Sequence, residues 1–411
     1  MLRKNFHKYI RVTIEKLFFI FLIIIPFLFF FNRDITVYSI FICCFLWIIR
    51  LNFKIFLKDL KENNLIKIYV GLYIVFFVSI IYSENLKEAF KHLEIKAGLL
   101  VFPLILGINK IKNQNLLKYI FYSFFAGWII KFFISLIKTI INYYILEKNN
   151  IFNFLNEFHY IITNFHKNLN FHYVYFSVAY IIIYIFISEF LINKKNLLAF
   201  LGFTFISYIF ILILQSRIAM LIIFLVSEIN FLRLTIFKSK LSKYKNFSII
   251  IFYNLLLIFF LYYFYNYTKI LDRFKNKSMN IRAEIFDLSL DSINNFDFLF
   301  GDGLGDSHSR LFKSYKTHNE NTYLQEKLNY HNQYLEIFFS NGIIGLLYFV
   351  FMLFYLIYLS LKKKKYMHTL FIITMVISFI TESWLNVFNG VFLFTFFNSI
   401  LSFYYLNNEN I

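Results

Sequence analysis

The stretch His331–Leu346, "HNQYLEIFFSNGIIGL", sets a histidine, an asparagine and a glutamate directly before a long apolar run. Arg217, in "LQSRIAML", stands between two apolar runs with almost no loop around it, and Arg282 lies in "NIRAEIF". A lipid environment discourages these side chains. An arginine at the middle of a membrane span costs roughly 2.5–3.5 kcal/mol on insertion scales, so Arg217 belongs at an interface or facing a wet cavity. An imidazole titrates near neutral pH and can exchange a proton there. A guanidinium is a permanent cation whose forked N–H groups match carboxylate and phosphate oxygens. Proton transfer beside a bound anion is open to this set if the fold gathers it on one face.

The elements that must do the gathering are membrane helices. A soluble domain carries about a quarter charged residues. This chain of 411 residues carries 16%, with 59% hydrophobic and 23% aromatic residues and only 2 Pro. Its apolar residues come in blocks of roughly 17 to 25, the length a helix needs to cross a bilayer. The expected fold is all-α: a polytopic membrane protein of about twelve transmembrane helices with one long, partly helical extracytoplasmic loop. The spans read as 17–32, 35–49, 66–82, 95–108, 119–142, 172–190, 197–214, 218–232, 246–265, 340–361, 368–381 and 390–406. This makes 1–411 a single integral membrane domain. Within it lie a nine-helix part (17–265), a large loop (266–339) and three C-terminal helices (340–406). The first run, from Leu17, has no small-residue cleavage site and further spans follow it, so it reads as a retained helix rather than a signal peptide. Cys43 and Cys44 are adjacent inside an apolar run and point to neither a disulfide nor a metal.

The net charge of +19 is explained by where the basic residues fall, and no nucleic-acid partner is expected. Basic residues beside membrane spans set orientation. With Arg3, Lys4, Lys8, Arg11 and Lys16 in the cytoplasm, alternate connections fall on the same side. These connections are the basic stretches Arg50–Lys67, Lys110–Lys118, Lys194–Lys195, Arg233–Lys245 and Lys362–Lys365. The opposite short loops are poor in basic residues, and 382–389 has none. Both termini are therefore expected in the cytoplasm. Residues 266–339 lie outside despite their own basic residues, because long loops cross regardless of charge. Arg217, Arg282 and His331 then all fall on the outer face, although none of the three was used to set the orientation.

A loop this long is usually functional. Within it, Ile281, Ile285 and Leu288 recur at helical spacing with Arg282, Glu284, Asp287 and Asp291 elsewhere on the wheel. That pattern predicts an amphipathic helix able to lie on the membrane surface. "FGDGLGD" at 300–306 reads as a glycine-rich turn with solvated Asp302 and Asp306. His308, His318, Lys313 and Lys316 read as loop solvation.

"HNQYLEIFFSNGIIGLL", preceded by "FGDGLGDS", resembles the O-antigen ligase family, which is akin to O-antigen polymerases and some protein O-oligosaccharyltransferases. The family pattern is a Gly-x-Gly turn, then His-Asn-x-x-Leu, then Gly-[Ile/Val]-x-Gly at the next helix. It is met here by Gly303 and Gly305, by His331, Asn332 and Leu335, and by Gly342 and Gly345. Ser216–Arg217 and Arg282 match the family's two functional arginines. "FHYVYFSVAY" at 171–180 looks like its His-x-x-Tyr-x-Ser segment, and Glu382 in "TESWLN" stands where many members keep a glutamate.

The resemblance implies transfer of a glycan from an undecaprenyl-pyrophosphate carrier to an acceptor sugar such as the lipid A–core, at the outer face of the bacterial inner membrane. It implies His331 as the base and Arg217 and Arg282 as the pyrophosphate-binding cations. Asn332, Tyr334, His172, Tyr175 and Glu382 become possible substrate contacts, although His172 and Tyr175 also suit an aromatic belt. Gly303, Gly305 and Gly342 become structural turns. No cofactor or metal is expected, because no Asp-rich cluster or His/Cys/carboxylate spacing suits one. A repeat-unit polymerase would use the same carrier on the same face. A lipid-linked sugar transporter would need helices broken by Gly or Pro in two related halves. Lys131 and Lys138 within one span and a single asymmetric loop do not give that pattern.

Overall fold

The computed structural model describes residues 2–108, 114–147, 164–237, 278–290 and 295–406, with Tyr253 and Tyr262 as isolated positions. Among the described residues the secondary structure is helical throughout. The helices are α1 (Leu2–Leu28), α2 (Arg33–Arg50), α3 (Phe53–Glu62), α4 (Asn64–Val78), α5 (Leu86–Ile95), α6 (Gly98–Gly107) and α7 (Gln114–Glu147). They continue with α8 (Tyr173–Asn193), α9 (Leu197–Leu214), α10 (Arg217–Leu232), α11 (Ser278–Leu290), α12 (Asn295–Phe300) and α13 (Ser307–Thr317). The last four are α14 (Asn321–Glu326), α15 (Gln333–Lys362), α16 (Tyr366–Ser378) and α17 (Phe388–Tyr405).

Asparagine starts many of these helices. The side chains of Asn32, Asn52, Asn63, Asn85, Asn196 and Asn332 each accept a hydrogen bond from a first-turn N–H of the helix that follows. That satisfies a donor the helix itself leaves unpaired.

Among the described residues, five helices are long and apolar enough to cross a membrane: Asn115–Tyr143, Tyr173–Asn193, Leu197–Leu214, Arg217–Thr235 and Gln333–Lys362. A sixth candidate is the pair α2 and α3, bent by 106°. Asn64–Val78, Tyr366–Ser378 and Phe388–Tyr404 are shorter apolar helices. The chain is an integral membrane protein by these helices. The expected span 95–108 departs most from its sequence reading. Its helix α6 has 10 residues and rises about 15 Å, half of a hydrocarbon core about 30 Å thick. The expected span 246–265 lies outside the described residues, apart from Tyr253 and Tyr262.

Contacts divide the chain into two units, Met1–Ser123 with Met279–Ile411, and Phe124–Ser278; the boundary falls within α7. In the second unit, α8, α9 and α10 are joined by links too short for anything but antiparallel neighbours. Their buried hydroxyls pair across the helices: Tyr180 with Ser207 at 2.8 Å, Tyr184 with Thr204 at 2.9 Å and Tyr208 with Ser227 at 2.9 Å. Asn230 donates to Ser188 at 2.8 Å, and Arg233 is held by Glu189 at 2.8 Å. Pairing of this kind satisfies polar groups that lipid cannot.

In the first unit, α6 packs between α4 and α17, and α15 packs against α4, α12 and α16. The apolar face of α11 is not spread on a membrane surface. Ile285 is fully buried in a small core with Leu311, Tyr315, Tyr330 and Phe339, and Ile281 and Leu288 pack against it. The described part of the loop therefore packs on the first stretch of α15 and spends its amphipathic helix there.

The loop and α15 are locked together at a break. Gly342 has φ +64° and interrupts the helix, and a side chain there would collide with the carbonyl of Leu299. The N–H groups of Asp302 and Gly303 donate to Phe339 O at 2.8 Å and Ser340 O at 3.1 Å, at the end of the first helical stretch. Gly303 has φ +93° and abuts Ser83, and Gly305 abuts the backbone of Asn85.

Gly342→Ala should lower the thermal midpoint of the detergent-solubilised protein, because a left-handed conformation alone costs an L-residue about 1–2 kcal/mol and the collision adds to it. Gly202→Ala, where nothing lies within 4 Å, should leave the midpoint unchanged or raise it by the helix preference of alanine, about 0.5–1 kcal/mol. Thermal unfolding of the two variants side by side checks both.

Candidate functional site

Three of the residues singled out by sequence meet in the first unit. His331 immediately precedes the N-cap of α15 and has φ +46°. A non-glycine residue in that region is uncommon, and functional sites are where such strain persists. Its backbone N–H is held by Asn329 Oδ1 at 2.9 Å, and Asn332 caps the helix that begins just after it, accepting from Tyr334 N and Leu335 N. From that fixed backbone, His331 Nδ1 lies 3.3 Å from Glu382 Oε2. The other oxygen of the same carboxylate, Oε1, lies 3.5 Å from the Arg282 guanidinium. Residues far apart in the chain are thus joined through one acidic group.

The segment carrying Glu382 is pinned on both sides. Gln333 donates its N–H to Phe379 O at 2.8 Å, and its side chain accepts from Leu385 N at 2.6 Å. The fully buried Trp384 donates from Nε1 to Ser378 O at 3.0 Å. Tyr334 is also committed here, its hydroxyl donating to Val376 O at 3.0 Å. Exposure is graded across the cluster: the Glu382 side chain is 12% exposed, His331 29% and Arg282 41%. The carboxylate is the least exposed of the three, and the imidazole and guanidinium lie nearer the surface.

A second cluster, which reading along the chain did not find, gathers around Glu336. Glu336, buried on the first turn of α15, takes His308 Nε2 at 2.9 Å. Lys96, 1% exposed, donates to Asn386 Oδ1 at 2.8 Å. The rings of His92 and His308 meet edge to face at 5.4 Å. Burial pulls the His308 imidazolium down, but the Glu336 carboxylate against it prevails, so its pKa is raised. Burial pulls His92 down to about 4, with Lys96 and His308 adding to the effect, which keeps it neutral.

The turn aspartates are structural and not merely solvated. Asp306 accepts from Glu84 N at 2.7 Å and Asn85 N at 3.1 Å, docking the start of α5. Arg310 is clamped between Asp297, at 2.8 Å, and Asp302. Burial pushes Asp302 up to about 6 against the opposing pull of Arg310. With two carboxylates on it, Arg310 has little charge to offer a ligand, whereas Arg282 shares one carboxylate at the edge of hydrogen-bonding distance.

Arg217, His172 and Tyr175 lie in the second unit. Gln215 turns through φ +53° and Ser216 caps α10, so Arg217 opens that helix. His172 precedes α8 and packs against Tyr173 and Tyr175, with ring centroids 5.1 Å away in each case. Because α8 and α10 run the same way, His172 and Arg217 stand at the same end of this unit.

Residues 202–350 match the model of the O-antigen ligase family. That stretch is what this chain shares with the O-antigen ligase family. No curated protein matches the chain. The matched stretch holds Arg217, Arg282, Gly303, Gly305, His331, Asn332, Tyr334 and Gly342, while His172, Tyr175 and Glu382 lie outside it. The match supports lipid-linked glycan transfer in general. His308, read from the sequence as loop solvation, is instead held by Glu336, and sequence reading assigns no role to Glu336, Lys96 or Asn386; their one signal is a lysine and a glutamate at the edges of apolar runs, where a charge survives only with a partner.

A pH dependence follows from His308. A raised folded-state pKa contributes stability that is fully present below the ordinary histidine value, ~6.5, and is lost as pH rises through the raised value. The thermal midpoint should therefore fall as pH is raised above the ordinary histidine range, and Glu336→Gln should flatten that slope. Removing one partner of a buried pair costs about 3–5 kcal/mol, so Glu336→Gln should also lower the midpoint at acidic pH; a differential thermal scan over pH reads both effects.

Proposed function

We propose that this protein transfers a glycan from an undecaprenyl-pyrophosphate carrier to an acceptor sugar, the lipid A–core or a similar glycolipid, on the periplasmic side of the bacterial inner membrane. The observation that carries this reading is the meeting of His331 and Arg282 on Glu382, within a chain that shares residues 202–350 with the O-antigen ligase family. The wider topology is part of the proposal: about twelve spans, both termini cytoplasmic, and the large loop outside.

In this reading the acceptor hydroxyl oxygen attacks the anomeric carbon of the donor sugar. The bond from that carbon to the pyrophosphate oxygen breaks, and its electron pair leaves with the carrier. His331 takes the hydroxyl proton. The leaving group is already good, so the requirement is stabilisation of its charge, which Arg282 supplies through forked phosphate contacts. Arg217 has the same role by its place in the matched stretch and at a helix start. Guanidiniums fill the place a divalent cation takes in other phosphoryl-leaving reactions, so no cofactor or metal is required. The bilayer, the carrier-linked donor and the glycolipid acceptor are the partners.

His331→Ala, Arg282→Ala and Arg217→Ala should each cut glycan attachment by about 10²-fold or more, the range for loss of an acid–base or charge-stabilising group, at unchanged protein level in the membrane. Undecaprenyl-linked glycan should accumulate, and its failure to do so would count against transfer. Activity should persist in chelator. In a deletion strain, lipid A–core without O-chain, with carrier-linked polymer present, supports a ligase. Core bearing a single repeat unit would instead assign repeat-unit polymerisation.

A further inference from the structure

Glu382 lies outside the matched stretch, and the steps of the transfer reaction leave it without a task. It is nonetheless the group on which the cluster turns. Its two oxygens are divided between two partners, His331 Nδ1 at 3.3 Å and the Arg282 guanidinium at 3.5 Å. It is the least exposed of the three, and its segment is tied down by Gln333 and Trp384 rather than by anything a substrate would displace.

We infer that Glu382 is a positioning residue: it fixes the tautomer and orientation of His331, and it couples donor binding to the readiness of that base. The inference rests on the transfer reading above.

An ionised carboxylate can only accept hydrogen bonds. Its partner Nδ1 must therefore carry the imidazole proton, which leaves the lone pair on Nε2 to take the acceptor's proton. During transfer the hydroxyl proton moves to Nε2, Nδ1 keeps its own, and the carboxylate balances the imidazolium that results. Glu382 itself stays ionised and touches neither sugar.

The sharing with Arg282 supplies the coupling. Both contacts are longer than the roughly 2.7–2.9 Å of a tight charge-assisted hydrogen bond, so neither partner holds the carboxylate fully. When a pyrophosphate takes the Arg282 guanidinium, the negative charge that Arg282 had been neutralising faces His331 alone. The base is then best supported when a donor is in place.

The test uses full-length protein in nanodiscs, with an undecaprenyl-pyrophosphate-linked glycan as donor and purified lipid A–core as acceptor, comparing Glu382→Gln and Glu382→Asp with the unaltered chain. Glu382→Gln should lower kcat about 10- to 100-fold, the range for loss of a group that orients a functional side chain. Its KM for the donor should be unchanged or lower, since Arg282 is released to the phosphates. Glu382→Asp should restore part of kcat, because the charge returns on a shorter stem. In a His331→Ala background Glu382→Gln should cause no further loss, as expected for groups acting as one unit.

A raised donor KM at unchanged kcat would make Glu382 a substrate contact and overturn the inference. So would wild-type kinetics in Glu382→Gln. A fall in kcat that follows the thermal midpoint and is not relieved in Glu382→Asp would reduce the residue to a structural role and overturn the inference equally. If Glu382→Gln does not accumulate, Glu382→Asp decides alone: kcat lowered at constant donor KM supports the inference, and a raised KM overturns it. Absence of transfer by the unaltered chain would remove the underlying reading itself, an outcome the unaltered control separates from the others.

Discussion

The break at Gly342 is the constraint on which the rest depends. A continuous helix through 333–362 would leave no room for the carbonyl of Leu299 or for the Gly301–Gly303 turn. Because residue 342 has no side chain and takes φ +64°, the loop can dock its backbone N–H groups on the end of the first helical stretch. That docking holds the far end of the first stretch of α15, whose beginning, capped by Asn332, carries His331, Asn332, Gln333 and Glu336. The described part of the loop has a core of its own around Ile285 and Tyr315.

Electrostatics are graded with depth around that helix start. Arg310 is saturated by two carboxylates, and the buried Glu336 is held by His308. Both arrangements spend their charge on holding the loop and the 379–387 segment in place. Arg282 and His331 share a single carboxylate and remain partly exposed. Fully paired charges build a scaffold, while incompletely paired ones remain available to a ligand. By this measure Arg282, with one carboxylate against it, keeps more of its charge open than Arg310, which is held on both sides. Asn332 and Tyr334 have demonstrable structural work, capping α15 and tethering α16.

The second unit solves the same problem by different means. Its helices bury few charges and pair hydroxyls and amides across short distances, ending in the Arg233–Glu189 pair. The family match, 202–350, takes in parts of both units, so the segment common to the family is not a folding unit by itself.

Much of the frame was determined by sequence alone, because its causes are local. Length and hydropathy located the helices at 197–214 and 218–232 to within a residue or so, since a bilayer imposes its thickness on any apolar run. The His-Asn segment and the glycine turn were legible as motifs, and Arg282, His331 and Glu382 were named from their types and order. Only the tertiary structure decided what those residues touch. The partners of His331, His308 and Lys96 lie 51, 28 and 290 positions away, beyond any helical period that a sequence displays. The apolar face of α11 was visible, but whether it met lipid or protein depended on α13 and α15 arriving against it. Aspartates in a glycine turn look solvated until the backbone they anchor is in place. Periodicity reveals which face of an element is apolar; only packing determines what covers that face and which buried charge finds its partner there.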